Sequence, residues 1–142
     1  MESTARVLVV DDEERFRKSM ARILRSKGYV VDEVGDGMAA LNTLATGGFD
    51  VVLLDLKMPE MSGEETFQEI RLQGFDVETI CLTGHVSIDD ATRLLRRGVF
   101  DYLVKPASVD EILGAVQRAM EKKQLRNDEI AIDQLFRNSA MR

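Results

Sequence analysis

The sequence predicts an α/β protein built on a five-stranded, doubly wound parallel sheet with five helices. Five short apolar runs alternate along the chain with five segments whose apolar residues recur at helical spacing. The connections between them are short, and right-handed crossovers are the usual way to join such elements. The third run, Val51-Val52-Leu53-Leu54, is apolar at every position, which is typical of a central strand covered on both faces.

Four of the five predicted strands stop where a polar residue follows an apolar run. The predicted strands cover residues 6–10, 30–34, 51–54, 77–82 and 102–104. The second contains Asp32 and Glu33, so we expect it near an edge of the sheet. The loop after Asp55 contains Pro, Ser and Gly. In an open parallel sheet, ligands bind beyond the carboxyl ends of the strands, which places Asp55 where chemistry is expected.

Capping residues and glycines bound the predicted helices. The first two helices cover residues 14–27 and 38–44, and the other three begin after Ser62, Ser87 and Ser108. Ser62 and Ser108 each precede a glutamate by three residues, which forms a capping box. In the third helix we expect Phe67 and Ile70 to face the core, with Leu72 as a further candidate.

Composition narrows the class of protein. The chain has 142 residues, 44% hydrophobic and 31% charged, which suits one globular domain. Its net charge of -6 argues against a broad nucleic-acid interface. The single cysteine, Cys81, lies in an apolar run and is interpreted as a core thiol in a reducing compartment. We find no signal peptide and no apolar run that could span a membrane, and therefore expect a cytoplasmic protein.

Polar residues from four strand ends should meet at one edge of the sheet. They are Asp11 and Asp12, Asp55, Thr83, and Lys105. Three carboxylates this close would repel one another unless a cation joins them, and oxygen ligands of this kind suit Mg²⁺. A metal, an ammonium and a hydroxyl are what a transferring phosphoryl group needs around its oxygens. Asp55 remains as the carboxylate that could attack phosphorus and become an aspartyl phosphate.

With these motifs in this order, the chain resembles the receiver domain of two-component response regulators, the CheY-like family. Its motif sequences are most similar to those of receivers of NtrC-like transcriptional regulators. The residues that carry the resemblance are Asp11-Asp12, Asp55 with Lys57-Met58-Pro59 and Gly63, Thr83-Gly84, and Asp101-Tyr102-Leu103-Val104-Lys105-Pro106. The match covers about residues 5 to 121. Gly84 departs from the pattern, since many relatives carry Ala there, with a small expected effect.

The resemblance implies a flavodoxin-like strand order of 2-1-3-4-5 and a role as a signalling switch. It implies that Asp55 takes a phosphoryl group from a sensor histidine kinase or phosphotransfer protein. It also implies Mg²⁺ bound by Asp12 directly, by Asp11 mainly through water, and by Asp55 and the Lys57 carbonyl. Thr83 and Tyr102 would be the switch pair, relaying phosphorylation to the surface formed by the fourth helix, fifth strand and fifth helix. The Lys105–Pro106 peptide bond should be cis.

Each of these residues also has a plainer interpretation. The acids at 11–14 could be a solvated helix start, Thr83 a strand-end hydroxyl, and Tyr102 a core residue. His85 is interpreted as a loop residue near the site.

Three other functions are weighed against a signalling switch. A phosphatase that forms an aspartyl phosphate is the nearest enzyme alternative, but Lys57 stands where such enzymes carry a second Asp. A dinucleotide-binding domain is excluded, because no Gly-rich turn follows the first predicted strand of this chain. A phosphate-independent binding module is the third alternative. We expect a switch that catalyses only its own phosphoryl transfer and slow dephosphorylation.

The last residues fall outside the five strand–helix units. We expect a receiver domain over residues 1–121 and a helical extension or linker over 122–142, because no Gly or Pro interrupts the fifth helix after Gly114. Leu125, Ile132 and Phe136 fall near one helical face, which favours pairing with a second chain or packing on an output domain. A frayed tail is the plainer alternative.

Overall fold

The computed structural model describes residues 5–140 and contains the predicted alternation of strands and helices. The strands are β1 (Arg6–Val10), β2 (Val30–Val34), β3 (Val51–Leu54), β4 (Glu78–Thr83) and β5 (Asp101–Val104). The helices are α1 (Glu14–Ser26), α2 (Gly37–Leu44), α3 (Gly63–Leu72), α4 (Ile88–Arg96) and α5 (Val109–Ala140). Observed and predicted ends differ by a residue or so, as is usual where helices fray.

The five strands form one parallel sheet in the order β2-β1-β3-β4-β5, which confirms the predicted fold. The register pairs Val10 with Leu54 and Leu54 with Cys81, so β1 and β3 end side by side, and β4 continues for two more residues to Thr83, which pairs with Val104. β2 is an edge strand, as its polar residues predicted. This topology brings the residues that follow β1, β3 and β4 to one edge of the sheet, called the carboxyl edge below.

Two apolar layers cover the sheet. One face packs against α1 and α5, through residues such as Leu24 and Val116, and the other packs against α2, α3 and α4. Phe67 and Ile70 of α3 are buried, as predicted. Leu72 is 72% exposed, so its interpretation as a core candidate was wrong. It is the last residue of α3.

Helix α5 is 32 residues long and continues past the sheet, as predicted. Its apolar contacts with the core end at Met120, and ion pairs at the opposite, amino edge of the sheet take over from there. Lys123 Nζ lies 2.8 Å from Asp50 Oδ1 and 3.1 Å from the Phe49 carbonyl. We call Lys123 and Arg126, together with the residues that they contact at this edge, the basal clamp.

Arg126 forms the second half of the basal clamp. Its guanidinium contacts Asp76 at 2.7 Å and also pairs with Glu78, whose side chain is buried. Because a buried carboxylate is costly without a cationic partner, Arg126 fixes the helix against the start of β4. Among the helices of residues 5–140, the structure contains none long and apolar enough to cross a membrane.

Candidate functional site

Three carboxylates converge at the carboxyl edge of the sheet. Asp11 and Asp12 follow β1 and Asp55 follows β3, and one oxygen from each lies within 4.8 Å of the others. Asp11 is 2% exposed and Asp55 7% exposed, whereas Asp12 is open to solvent. Thr83 at the end of β4 is fully buried. The structure therefore brings the sequence-predicted site residues together.

Lys105 brings positive charge to this cluster. Its Nζ lies 2.6 Å from Asp11 Oδ2, and its charge also acts on Asp55. The same Nζ sits 3.9 Å from the centroid of the Phe16 ring, a cation–π contact that holds the lysine from the other side. The Lys105–Pro106 peptide bond is cis, as predicted.

Phe16 is a site residue that the sequence analysis treated only as part of the core-facing side of α1. An aromatic residue in the first turn of the helix that follows the two acids was the available signal. Sequence alone cannot tell that the ring faces the lysine, because Phe16 and Lys105 are far apart along the chain.

The charge of Asp55 is disfavoured by its surroundings. Burial, and then the neighbouring Asp11 carboxylate, raise the pKa of Asp55 above its ordinary value. The Lys105 ammonium, the Lys57 backbone N–H and the Thr83 hydroxyl act in the opposite direction and lower this pKa without fully offsetting the rise. The Lys57 N–H donates to Asp55 Oδ1 at 3.3 Å. The negative charge of Asp55 is thus only partly compensated by its neighbours. The carboxylate lies in a pocket that opens to solvent and is lined by Lys57, Gly84, His85 and Lys105.

Gly63 fixes the loop that follows Asp55. Its N–H donates to the Leu56 carbonyl at 3.0 Å. A Cβ on residue 63 would lie 2.1 Å from the Asp55 carbonyl oxygen and 2.6 Å from Leu56 Cα. Both are backbone atoms that cannot move aside, so the loop requires glycine here. The capping box of Ser62 and Glu65 is formed, as predicted, and starts α3 at this contact.

The backbone of His85 connects the two residues proposed as the switch pair. The His85 N–H donates to Thr83 Oγ1 at 3.2 Å, and the Tyr102 hydroxyl donates to the His85 carbonyl at 2.8 Å. Burial raises the pKa of Tyr102, so the phenol remains a donor at neutral pH. The sequence placed His85 in a loop near the site, and it lies there, but its role as the link between Thr83 and Tyr102 was not predictable.

Comparison with known proteins identifies this arrangement. A sequence model of the response regulator receiver domain matches residues 7–117. This chain belongs to the response regulator receiver domain family. The predicted family is therefore confirmed. Receiver domains are phosphorylation-dependent signalling domains that bind Mg²⁺ at an acidic pocket and interact with histidine kinases.

Curated relatives of this chain are longer than the chain itself. The chain is 34% identical over 128 residues to the response regulator MprA of Mycobacterium ulcerans, covering 90% of this chain and 55% of MprA. It is 33% identical over 128 residues to the regulatory protein AtoC of Escherichia coli, covering 90% of this chain and 28% of AtoC. The chain thus spans about half of one relative and about a quarter of the other.

Solved structures show the same fold. The response regulator TrrA of Thermotoga maritima, solved in complex with Mg²⁺ and BeF, superimposes with a TM-score of 0.73 at 34% identity, covering 82% of this chain and 99% of TrrA. NtrX of Brucella abortus, solved in complex with ATP, gives a TM-score of 0.85 at 28% identity, covering 92% of this chain and 30% of NtrX.

Proposed function

We propose that this receiver domain accepts a phosphoryl group on Asp55 from a sensor histidine kinase or phosphotransfer protein in the cytoplasm. The observation that carries the proposal is the buried Asp55 carboxylate, which opens to solvent beside Lys105 and is flanked by the Thr83 hydroxyl and two further acids. A carboxylate whose negative charge is poorly compensated is a suitable acceptor for an electrophilic phosphorus.

The acidic cluster fits Mg²⁺. Three carboxylates within 4.8 Å of one another, with one ammonium on Asp11, leave an excess of negative charge and of hard oxygen ligands. Asp11, Asp12 and Asp55 would hold the ion, with the Lys57 carbonyl as a further ligand. When bound, Mg²⁺ would neutralise charge on the phosphoryl oxygens and help to orient them.

The residues of the chain then have separable roles in the transfer. An Asp55 carboxylate oxygen forms a bond to phosphorus while the bond from phosphorus to the donor's nitrogen breaks, and that nitrogen keeps the electron pair. Lys105 and the Thr83 hydroxyl stabilise the charge on the phosphoryl oxygens. Lys57 stands where phosphatases of this kind carry a second Asp, so no carboxylate is placed there to assist hydrolysis. We therefore expect one slow turnover, as in a switch, rather than the repeated turnover of a phosphatase.

Phosphorylation would be relayed through the Thr83–His85–Tyr102 link. New charge-assisted bonds to the phosphoryl group would draw the Thr83 hydroxyl toward Asp55. Because the His85 backbone bonds to both members of the switch pair, this shift would reposition Tyr102 and the α4–β5–α5 surface. Unchanged amide chemical shifts on that surface after adding beryllofluoride and Mg²⁺ would contradict the relay.

We further propose that residues 1–121 are the receiver unit and that 122–142 form a helical extension. Leu125, Ile132 and Phe136 are exposed and lie within about 40° of one another at ~100° per residue of helix. This stripe would pair with a second copy or with an output domain. Sedimentation of the full chain against one that ends at Glu121 tests pairing. Monomers in both cases at high concentration, phosphorylated or not, would exclude a dimer through the extension.

Labelling with a small radioactive phosphodonor separates the proposed functions. We expect stoichiometric, Mg²⁺-dependent incorporation that is lost in Asp55→Asn while the far-UV circular dichroism is unchanged. Repeated turnover of the donor would indicate a phosphatase, and no labelling would indicate a phosphate-independent binding module. Labelling of Asp55→Asn at the wild-type rate would overturn Asp55 as the acceptor.

A further inference from the structure

The ammonium of Lys105 is held by two unlike partners. One is Asp11, whose Oδ2 lies 2.6 Å from the Lys105 Nζ. The other is the ring of Phe16, whose centroid lies 3.9 Å from the same nitrogen. A lysine side chain is a point charge on a flexible four-carbon stem, so its position in a site depends on contacts of this kind.

The acid partner is buried and fixed, but its charge is shared. Asp11 Oδ1 accepts a hydrogen bond of 2.9 Å from the Glu13 N–H, so both of its oxygens are engaged. Asp11 is also one of the three acids that we propose as ligands of Mg²⁺. A carboxylate whose charge is shared with a divalent cation attracts an ammonium less strongly. The ion pair alone would therefore hold Lys105 least well under the conditions in which Asp55 is to be phosphorylated.

The ring partner does not depend on the charge of the acids. Phe16 lies in the first turn of α1 and packs against the core layer beneath α1 and α5, so apolar contacts set the position of its ring. An aromatic ring attracts a cation through its quadrupole and leaves the charge of the cation in place. The Lys105 charge thus remains free to act on Asp55, as it does in this structure. Without the ring, the exposed Glu13, which lines the same pocket, would compete for the ammonium.

We infer that Phe16 is a positioning residue for phosphoryl transfer, because its ring holds the Lys105 ammonium beside Asp55 independently of the charge on Asp11. This inference rests on the proposed function, since it takes Lys105 as the cation that stabilises the phosphoryl oxygens. Leucine at position 16 would keep the apolar contact with the core but would not attract the cation. Tyrosine would keep the ring. Removal of the ring should therefore slow the transfer, and an aromatic replacement should restore it.

Three variants separate the ring from its packing. Phe16→Leu removes the ring, Phe16→Tyr keeps it, and Met20→Ala removes apolar volume one turn further along α1 in the same core layer. The first measurement needs neither metal nor phosphodonor. In protein labelled with ¹³C-lysine, the Cε protons of Lys105 are assigned by their loss in Lys105→Arg. We expect the ring current to move these protons upfield of their ordinary position in the wild type, in Phe16→Tyr and in Met20→Ala, but not in Phe16→Leu.

The second measurement is the rate of Mg²⁺-dependent labelling by a small phosphodonor, at a temperature where every variant is folded. We expect Phe16→Leu to be labelled about three- to tenfold more slowly than the wild type. Phe16→Tyr and Met20→Ala should be labelled at the wild-type rate, although Met20→Ala should melt at a lower temperature.

Three results would overturn the inference while leaving the proposed function in place. They are an ordinary position of the Lys105 protons in the wild type, a wild-type labelling rate in Phe16→Leu, and equal slowing in Phe16→Leu and Met20→Ala. The last would show that Phe16 acts only through packing of the core. If the wild type itself is not labelled, the proposed function fails and the role of Phe16 in transfer fails with it.

Discussion

Replacing Asp55 with Asn should stabilise this protein in the absence of divalent metal. The Asp11 and Asp55 carboxylates approach within 4.8 Å, where two like charges repel by about 3 kcal/mol at an effective dielectric constant of ~20. Lys105 offsets part of this, because its ammonium lies 2.6 Å from Asp11. We therefore expect Asp55→Asn to raise the free energy of unfolding by about 1–2 kcal/mol. The amide oxygen can still accept the Lys57 N–H.

Urea unfolding followed by circular dichroism in excess EDTA measures this change. A gain of that size corresponds to a rise in melting temperature of about 3–8 °C for a chain of this length. Asp12→Asn is the matched control, because Asp12 belongs to the same cluster but is exposed, and we expect a smaller gain. Mg²⁺ should then stabilise the wild type more than Asp55→Asn. Equal or lower stability of Asp55→Asn in EDTA would show that the Asp55 charge is better compensated than the geometry indicates.

Three further changes test the surrounding structure. Gly63→Ala should lower the free energy of unfolding by about 2–4 kcal/mol, because the added Cβ would overlap the loop backbone. Gly84→Ala is the control, because a Cβ at residue 84 meets no atom within 4 Å. We expect Gly84→Ala to have the wild-type melting temperature in a thermal scan. Arg126→Gln should cost about 1–3 kcal/mol in urea unfolding, because it removes the closest cation from the buried Glu78 carboxylate; an unchanged midpoint would refute the basal clamp. Burial raises the pKa of Cys81 to about 12, so iodoacetamide at pH 8 should label Cys81 only in urea, and rapid labelling of the native protein would contradict its burial.

Local patterns were sufficient to predict the fold. Apolar runs fixed where strands end, and serines three residues before a glutamate fixed where α3 and α5 begin. Because parallel strands end at one edge, strand ends alone predicted that Asp11, Asp55 and Thr83 meet. The fold and the family are confirmed, while the roles of these residues and the division at residue 121 stay predictions.

Interactions between distant charged side chains were not predictable. Lys105 forms its hydrogen bond with Asp11, and Arg93 pairs with Glu64 across two helices. Charged residues carry no periodic signal that selects a partner, and several acids lie within reach of each cation once the chain is folded. Leu72 shows the complementary error, since an apolar residue at the end of a helix need not face the core.

The placement of the basal clamp makes α5 a lever with a fulcrum. The helix starts at Val109, shortly after Lys105, and the clamp at Arg126 lies about 26 Å along its axis at ~1.5 Å per residue. A further ~21 Å of helix continues to Ala140. With arms of such similar length, a rigid helix that pivots at the clamp would move its far end by about 0.8 Å for each 1 Å of sideways shift at Val109, in the opposite direction. A partner bound to that end of α5 would meet a displacement nearly as large as the one at Val109, in the opposite direction.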